Sequence, residues 1–307
     1  MTPGFTTRDG LTLRTRHTTP TTPRRADIVL VHGIGDHVDG IPYTTAAEAF
    51  CAHGFGVHRL ELRGHGRSDG HQAYVDAFDD FRADLHAFTS HVRASHANGP
   101  VFLVGVSLGG LIVTDCALHH PEGLAGVVAV APALGETGGS RVLLALLPVL
   151  SRVVPRLGID PGLDLDRLTR DRVMLEAYVG NDPLYQRRIT PRLAAEVMTT
   201  IAAVRARARD LRVPFFALHG TADTVTSPEG SRWFFEHAGV ADKAYTTYDG
   251  ALHNLFVETN RHEVLADIAT WIGERCAPVD PTAMPGGGER GLDCPPRFGA
   301  VASGPGR

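Results

Sequence analysis

The chain has 307 residues, 43% of them hydrophobic and 21% charged, which suits a globular α/β protein of one large or two small domains with a sizeable core. A formal net charge of −4 excludes a nucleic-acid binder driven by bulk positive charge. The four cysteines (Cys51, Cys116, Cys276, Cys294) are scattered without the paired spacing of zinc or redox sites, so neither metal nor cofactor is expected.

The opening "MTPGFTTRDGLTLRTRH" lacks the basic-then-apolar layout of a signal peptide, which leads to an expectation of a cytoplasmic protein. Asp9-Gly10 inside it, between alternating residues, reads as a hairpin turn. Strand-like runs follow at "ADIVLVHG", "GVHRLELRG", "PVFLVGVS", "AGVVAVAPA", "VPFFALHG" and "KAYTTYDG". Helical periodicity falls between them at residues 42–53, 75–97, 108–119, 228–238 and 258–275. This alternation predicts an α/β fold with a mostly parallel central sheet covered by helices on both sides. Cys51 and Cys116 lie in helical patterns and read as small buried residues.

Between "APAL" and "VPFF" the alternation lapses for about 80 residues, too long for a crossover loop. This helical insertion opens with "RVLLALLPVLSRVVPRLG", apolar at Val142, Leu143, Leu146, Leu147, Val149, Leu150, Val153 and Val154. At about 13 residues the stretch is short of the roughly 20 that span a bilayer, and Pro148 interrupts it. It reads either as a helix packed on the domain or as a cap that lines an acyl pocket or touches a lipid surface. From Ala277 onward, 13 of 31 residues are Gly or Pro, which predicts a disordered tail over 277–307 beside a single domain over 1–276.

The stretch "GVSLG" places Ser107 in a G-x-S-x-G pattern between an apolar run and a helical one. Such a turn lifts a serine hydroxyl above the sheet, and the following helix aims its positive end at a developing oxyanion. A serine nucleophile needs a base, and the base needs an acid, in the chain order serine, acid, histidine. Of the six histidines from residue 119 onward, His119 and His120 end the serine's own helix. His219 lies in a strand, and His237 and His262 lie in helical patterns. His253, in the loop "YDGALHNLFVE", is the candidate base. Asp223, just past the strand "VPFFALHG", is the preferred acid, with Asp249 in its "DG" turn as competitor. Backbone N–H donors for the oxyanion are expected from Leu108 and from the turn "HGIGDH" around Ile34. Neither "GIGDHVDG" nor "RGHGRSDG" fits a dinucleotide loop, because the third glycine is out of place in both.

Taken together, "HGIGDH", "LRGHGRSDG", "GVSLGG", "GNDPLY", "HGTADTVTSPEG" and "LHNLFVE" resemble the monoacylglycerol lipase and lysophospholipase family of serine α/β-hydrolases, from about residue 5 to 276. The resemblance implies Ser107 as nucleophile, Asp223 as acid, His253 as base, and Ile34 and Leu108 as oxyanion donors. It implies a cap near residues 134–200 over an acyl pocket, with Asp182 of "NDPL" inside it. Asp36, Val142, Leu146, Leu150 and Asp182 are the expected substrate-binding residues. The chain departs from the family at Val106, where histidine is common, at Asp36, where glutamate is usual, and at Gly40, which replaces an arginine near the polar end of the pocket. The implied activity is hydrolysis of a monoacylglycerol or lysophospholipid ester. Thioesterase, acyltransferase or aminopeptidase chemistry on the same triad, or a non-catalytic binding protein, are the alternatives. The expected partner is an acyl-ester lipid, with no nucleic acid, no protein partner, and transient contact with a membrane surface through the cap.

Overall fold

A computed structural model describes residues 4–96, 99–135, 137, 141–276 and 292–293, with 141–144 and 292–293 described by main chain alone. Eight strands form the body of the sheet: β1 (Gly4–Thr6), β2 (Thr12–Thr19), β3 (Ala26–Val31), β4 (Phe55–Leu60), β5 (Val101–Val106), β6 (Leu124–Val130), β7 (Phe215–Gly220) and β8 (Lys243–Tyr248). They lie in the order β1-β2-β4-β3-β5-β6-β7-β8. Pairing is antiparallel from β1 to β2 and from β2 to β4, and parallel from there on. The hairpin expected at Asp9-Gly10 joins β1 to β2, and Gly10 takes the positive φ of 86° that the turn requires.

Strands β3, β4, β5 and β7 are buried at every residue, which is why they show no polar-apolar alternation. Helices α1 (Ile41–Ala52) and α8 (Arg261–Glu274) cover one face through Ala46, Phe50, Ile268 and Ile272. Helices α2 (Asp79–Ser95), α3 (Leu108–His119) and α7 (Pro228–His237) cover the other through Phe81, Leu85, Ile112 and Phe234. Cys51 and Cys116 are buried as expected, whereas Cys294 lies outside the described residues.

Helix α2 begins later than its periodicity suggests. Residues 73–78 bring Ala73, Val75 and Phe78 into the core from an irregular segment instead. That segment is held by the insertion: Thr190 Oγ1 donates to Ala73 O at 2.6 Å, and Phe78 N donates to Glu196 at 3.0 Å. The insertion between β6 and β7 contains α4 (Arg141–Val153), α5 (Arg172–Leu175) running into a π-helical turn (Glu176–Gly180), and α6 (Pro191–Ala206). Helix α6 therefore extends beyond the expected limit of residue 200. Of the C-terminal 31 residues, the described part is β9 (Leu292–Asp293), which pairs in parallel with Thr18 and Thr19 of β2. The rest of the stretch expected to be disordered lies outside the described residues.

Candidate active site

Three glycines let the main chain turn sharply at the end of β5. A Cβ on Gly105 would lie 2.2 Å from Gly109 O, one on Gly109 would lie 2.4 Å from Val31 O, and one on Gly110 would lie 2.7 Å from Pro132 Cβ. No side chain fits at these distances, so strand and helix meet backbone to backbone. Ser107 sits in the turn with φ 56° and ψ −115°, a strained conformation for a residue with a side chain. Its N–H donates to Val130 O at 2.9 Å, and its carbonyl accepts from Ala133 N and Leu111 N, each at 3.2 Å. The over-determined backbone holds the strain. Gly109→Ala is expected to destabilise the protein by at least about 1–3 kcal/mol, because the added methyl meets main chain that cannot rotate away. A denaturation midpoint equal to that of the parent protein would contradict this.

Asp223 follows β7 and His253 follows β8, at the same carboxyl edge of the sheet as Ser107. His253 Nδ1 lies 2.7 Å from Asp223 Oδ2. The carboxylate can only accept, so Nδ1 carries the proton and Nε2 keeps a free lone pair. Asp223 Oδ1 accepts from the backbone N–H of Val225 at 2.7 Å and of Thr226 at 3.1 Å. Burial raises the Asp223 pKa, but His253 and His219 outweigh it and hold the carboxyl well below the usual range. Asp249 is exposed and accepts from Thr221 Oγ1 instead.

Sequence reasoning passed over His219 because it lies within a strand. It is fully buried, with Nε2 3.0 Å from Asp223 Oδ2 and 3.2 Å from Thr226 O. Both of those atoms accept, so Nε2 is the protonated nitrogen and Nδ1 receives the Ser231 hydroxyl at 2.8 Å. Asp223 therefore carries two imidazoles, one facing the sheet edge and one fixing it from within.

The turn after β3 stands beside the serine: a Cβ on Gly33 would lie 3.4 Å from Ser107 Cβ. Among the described residues, the N–H groups of Ile34 and Leu108 donate to no acceptor, as two oxyanion donors require. His32 braces this turn, accepting from Leu62 N at Nε2 (2.9 Å) and donating from Nδ1 to Gly33 O (2.7 Å). Burial lowers its pKa well below the ordinary value and keeps the ring neutral, the form this pattern needs.

Asp36 is 4% exposed, and both of its oxygens are engaged, so it does not present a free carboxylate to substrate. Oδ2 accepts from the Tyr43 hydroxyl and Oδ1 from the Tyr178 hydroxyl at 2.6 Å. Tyr43 Oη in turn accepts from Gly33 N at 2.8 Å, completing a chain from the cap to the turn beside Ser107. Burial raises the pKa of Asp36, and the two tyrosine hydroxyls work against that rise. Asp182 is tied up as well: Oδ2 lies 2.7 Å from His37 Nε2 and Oδ1 accepts from Leu184 N. Gln186 N donates to Gly35 O at 2.8 Å, and a Cβ on Gly35 would lie 2.4 Å from Gln186 O. Tyr43 and Tyr178 had no spacing signal, since their hydroxyls meet Asp36 from opposite sides only in the folded chain.

The insertion also holds the loop of His253. Arg167 O accepts from His253 N at 3.3 Å, Leu168 O accepts from Asn254 N at 2.7 Å, and Glu258 accepts from both Arg170 N and Leu252 N. On α4, Leu147 is buried at 4% exposure, whereas Leu146, Val149 and Val153 are 50%, 59% and 71% exposed. Leu146 thus lies on an outer apolar face rather than in an enclosed acyl site; Leu150 is half-buried, and the Val142 side chain lies outside the described residues. Among the described residues no helix is long and apolar enough to cross a membrane.

Residues 22–260 match the family model described as serine aminopeptidase, S33. The monoacylglycerol lipase of Mycolicibacterium smegmatis is 29% identical over 255 residues, covering 83% of this chain and 90% of that protein. Human monoglyceride lipase is 28% identical over 288 residues, covering 92% and 94%. The crystal structure of Paleococcus ferrophilus monoacylglycerol lipase superposes with a TM-score of 0.78 at 32% identity, over 86% of this chain and 99% of that one.

Proposed function

Because the chain belongs to the serine aminopeptidase S33 family of α/β-hydrolases and is a carboxylic ester hydrolase, we propose that it cleaves monoacyl lipid esters through Ser107, His253 and Asp223. The reading rests first on the His253–Asp223 hydrogen bond of 2.7 Å, which leaves Nε2 free as a base at the edge where Ser107 stands. Ser107 Oγ attacks the acyl carbonyl while His253 Nε2 takes its proton. The oxyanion accepts from Ile34 N–H and Leu108 N–H. Collapse returns the proton to the leaving alcohol, and a water activated by the same nitrogen then releases the fatty acid from the serine ester.

The substrate class is supported by the relatives, which are named for monoacylglycerol cleavage, and by the apolar face of α4. Leu146, Val149 and Val153 expose side chains that a purely soluble substrate would not need; a lipid surface covers them during substrate uptake. Leu146→Glu with Val149→Glu is expected to cut binding to phosphatidylcholine vesicles and hydrolysis of vesicle-borne monoacylglycerol about tenfold or more. Hydrolysis of a soluble acetate ester should stay at the parent level, since both side chains face solvent. Equal loss on both substrates would remove the surface role of α4. A panel with aminoacyl amides completes the test: turnover of amides above that of monoacyl esters would replace the lipase reading with a peptidase one.

A further inference from the structure

At the opposite end of the sheet from Ser107, four chain segments bring imidazoles together around one carboxylate. Asp27 is the second residue of β3 and is 1% exposed, His58 lies on β4 and is 7% exposed, and His96 follows α2. His58 Nε2 is 2.8 Å from Asp27 Oδ1. One ligand atom from each of Asp27, His58 and His96 lies within 4.8 Å of the others. His17, on β2, stacks on the His58 ring at a centroid distance of 4.2 Å and walls the cluster on one side.

One atom in the cluster is unaccounted for. His96 Nδ1 is buried and has no hydrogen-bond partner among the described residues, although Asp27 Oδ2 lies 3.9 Å away. That separation is too long for a hydrogen bond. It is within the span of about 4 Å that two metal–ligand bonds of roughly 2.0–2.1 Å can bridge. A buried imidazole nitrogen beside a carboxylate that a second imidazole already contacts is the donor set of a two-histidine, one-carboxylate centre.

We propose that Asp27, His58 and His96 form a binding site for a borderline transition-metal dication of the Zn²⁺ class. Nitrogen donors in the majority, with few oxygens, select against Ca²⁺ and Mg²⁺. His58 gives up the Nε2 proton it shares with Asp27 when the ion enters. Arg24 Nη1, 3.1 Å from Asp27 Oδ1, stays as the outer hydrogen bond that orients the carboxylate, and its positive charge weakens the site relative to one without it. His96 is the partly exposed member, so its ring rotates to bring the ligand atoms to the separation of about 3.4 Å that a tetrahedral ion imposes. Asp27 and His32 stand at opposite ends of β3, some five residues apart at about 3.3 Å each, so the ion braces the sheet without touching the hydrolytic chemistry. The scattered cysteines gave no hint of it, and the ligands are too far apart in sequence to form a spacing motif.

The full-length protein, stripped with chelator, is titrated with Zn²⁺ and, for its absorption spectrum, with Co²⁺. The expected result is one saturable ion per chain, a thermal midpoint that climbs with Zn²⁺, and d–d bands of nitrogen- and oxygen-ligated Co²⁺. His96→Ala, at a partly exposed position outside any helix or strand, should bind at least tenfold more weakly and lose the thermal shift while keeping parent hydrolysis of a soluble acetate ester. His58→Gln should lose the Co²⁺ bands in the same way. Absence of saturable uptake, or uptake by His96→Ala equal to the parent, would overturn the proposal. Because the readouts are metal content, spectrum and melting, they stand apart from the hydrolase reading.

Discussion

Ser107→Ala and His253→Ala are each expected to reduce hydrolysis of an activated ester by about 10⁴–10⁶-fold, with no additive loss when combined. In the proposed mechanism the serine supplies the attacking oxygen and His253 the base held by Asp223, so removing either stops the same step. Asp223→Asn should fall somewhat less, by about 10⁴-fold, because an amide can donate to Nδ1 and turn the imidazole to the wrong tautomer without emptying the site. Covalent labelling by a fluorophosphonate separates the roles: the parent should take up one label per chain at Ser107, and Ser107→Ala none. A label mapped by mass spectrometry to another serine, or an Asp249→Asn variant that fails while Asp223→Asn works, would sink the assignment. Folding is not at issue for Ser107→Ala, whose loss is one hydroxyl and whose main-chain hydrogen bonds are unchanged.

The second large effect concerns a residue that touches no substrate. Asp36 joins the Tyr43 and Tyr178 hydroxyls, and Tyr43 holds Gly33 N, one residue before the proposed donor Ile34. Tyr43→Phe leaves the Gly33 N–H without its acceptor, a cost of roughly 1–3 kcal/mol for a buried group unless the turn moves to find another. A turn that moves displaces the donor, and misplacement of about 1 Å costs on the order of 10²-fold in rate. Tyr43→Phe and Asp36→Asn are therefore expected to turn over substrate about 10–100-fold more slowly at saturation, with KM nearly unchanged, since the ground-state carbonyl depends on the donors less than the oxyanion does. Tyr178→Phe cuts only the link to the cap, and should cost less than either. A purely structural role predicts a lower melting temperature with parent turnover in the folded fraction; that result would return Asp36 to a packing role.

These connections give the insertion a role beyond covering the site. Residues 167–170 hold the loop of His253, and residues 178–186 hold the turn of Ile34, so the insertion fixes both the proposed base and a proposed oxyanion donor. Motion of this segment as a free lid would break hydrogen bonds on both sides of Ser107 at once.

What the sequence determined by itself was local or periodic. Continuous apolar runs announced the buried parallel strands, the 3.6-residue period announced α1, α3, α7 and α8, and the glycines around Ser107 announced a turn in which only backbone fits. Asp223 and His253 were legible because each follows a strand at the carboxyl edge, a position that chain order alone reveals. Only the tertiary structure decided the rest, because those groups acquire their partners across the fold. His219 reads as a strand residue until the loop of Asp223 turns back on it. Asp36 reads as a substrate ligand until Tyr43 and Tyr178, from a helix and from the cap, occupy its two oxygens. Leu146 reads as pocket lining because periodicity tells that a helix has an apolar stripe; which side of the stripe meets protein depends on what packs against it, and there Leu147 is covered and Leu146 is not. Asp27, His58 and His96 share no period at all, and only the pairing of β3 with β4 and the end of α2 bring their ligand atoms within 4.8 Å.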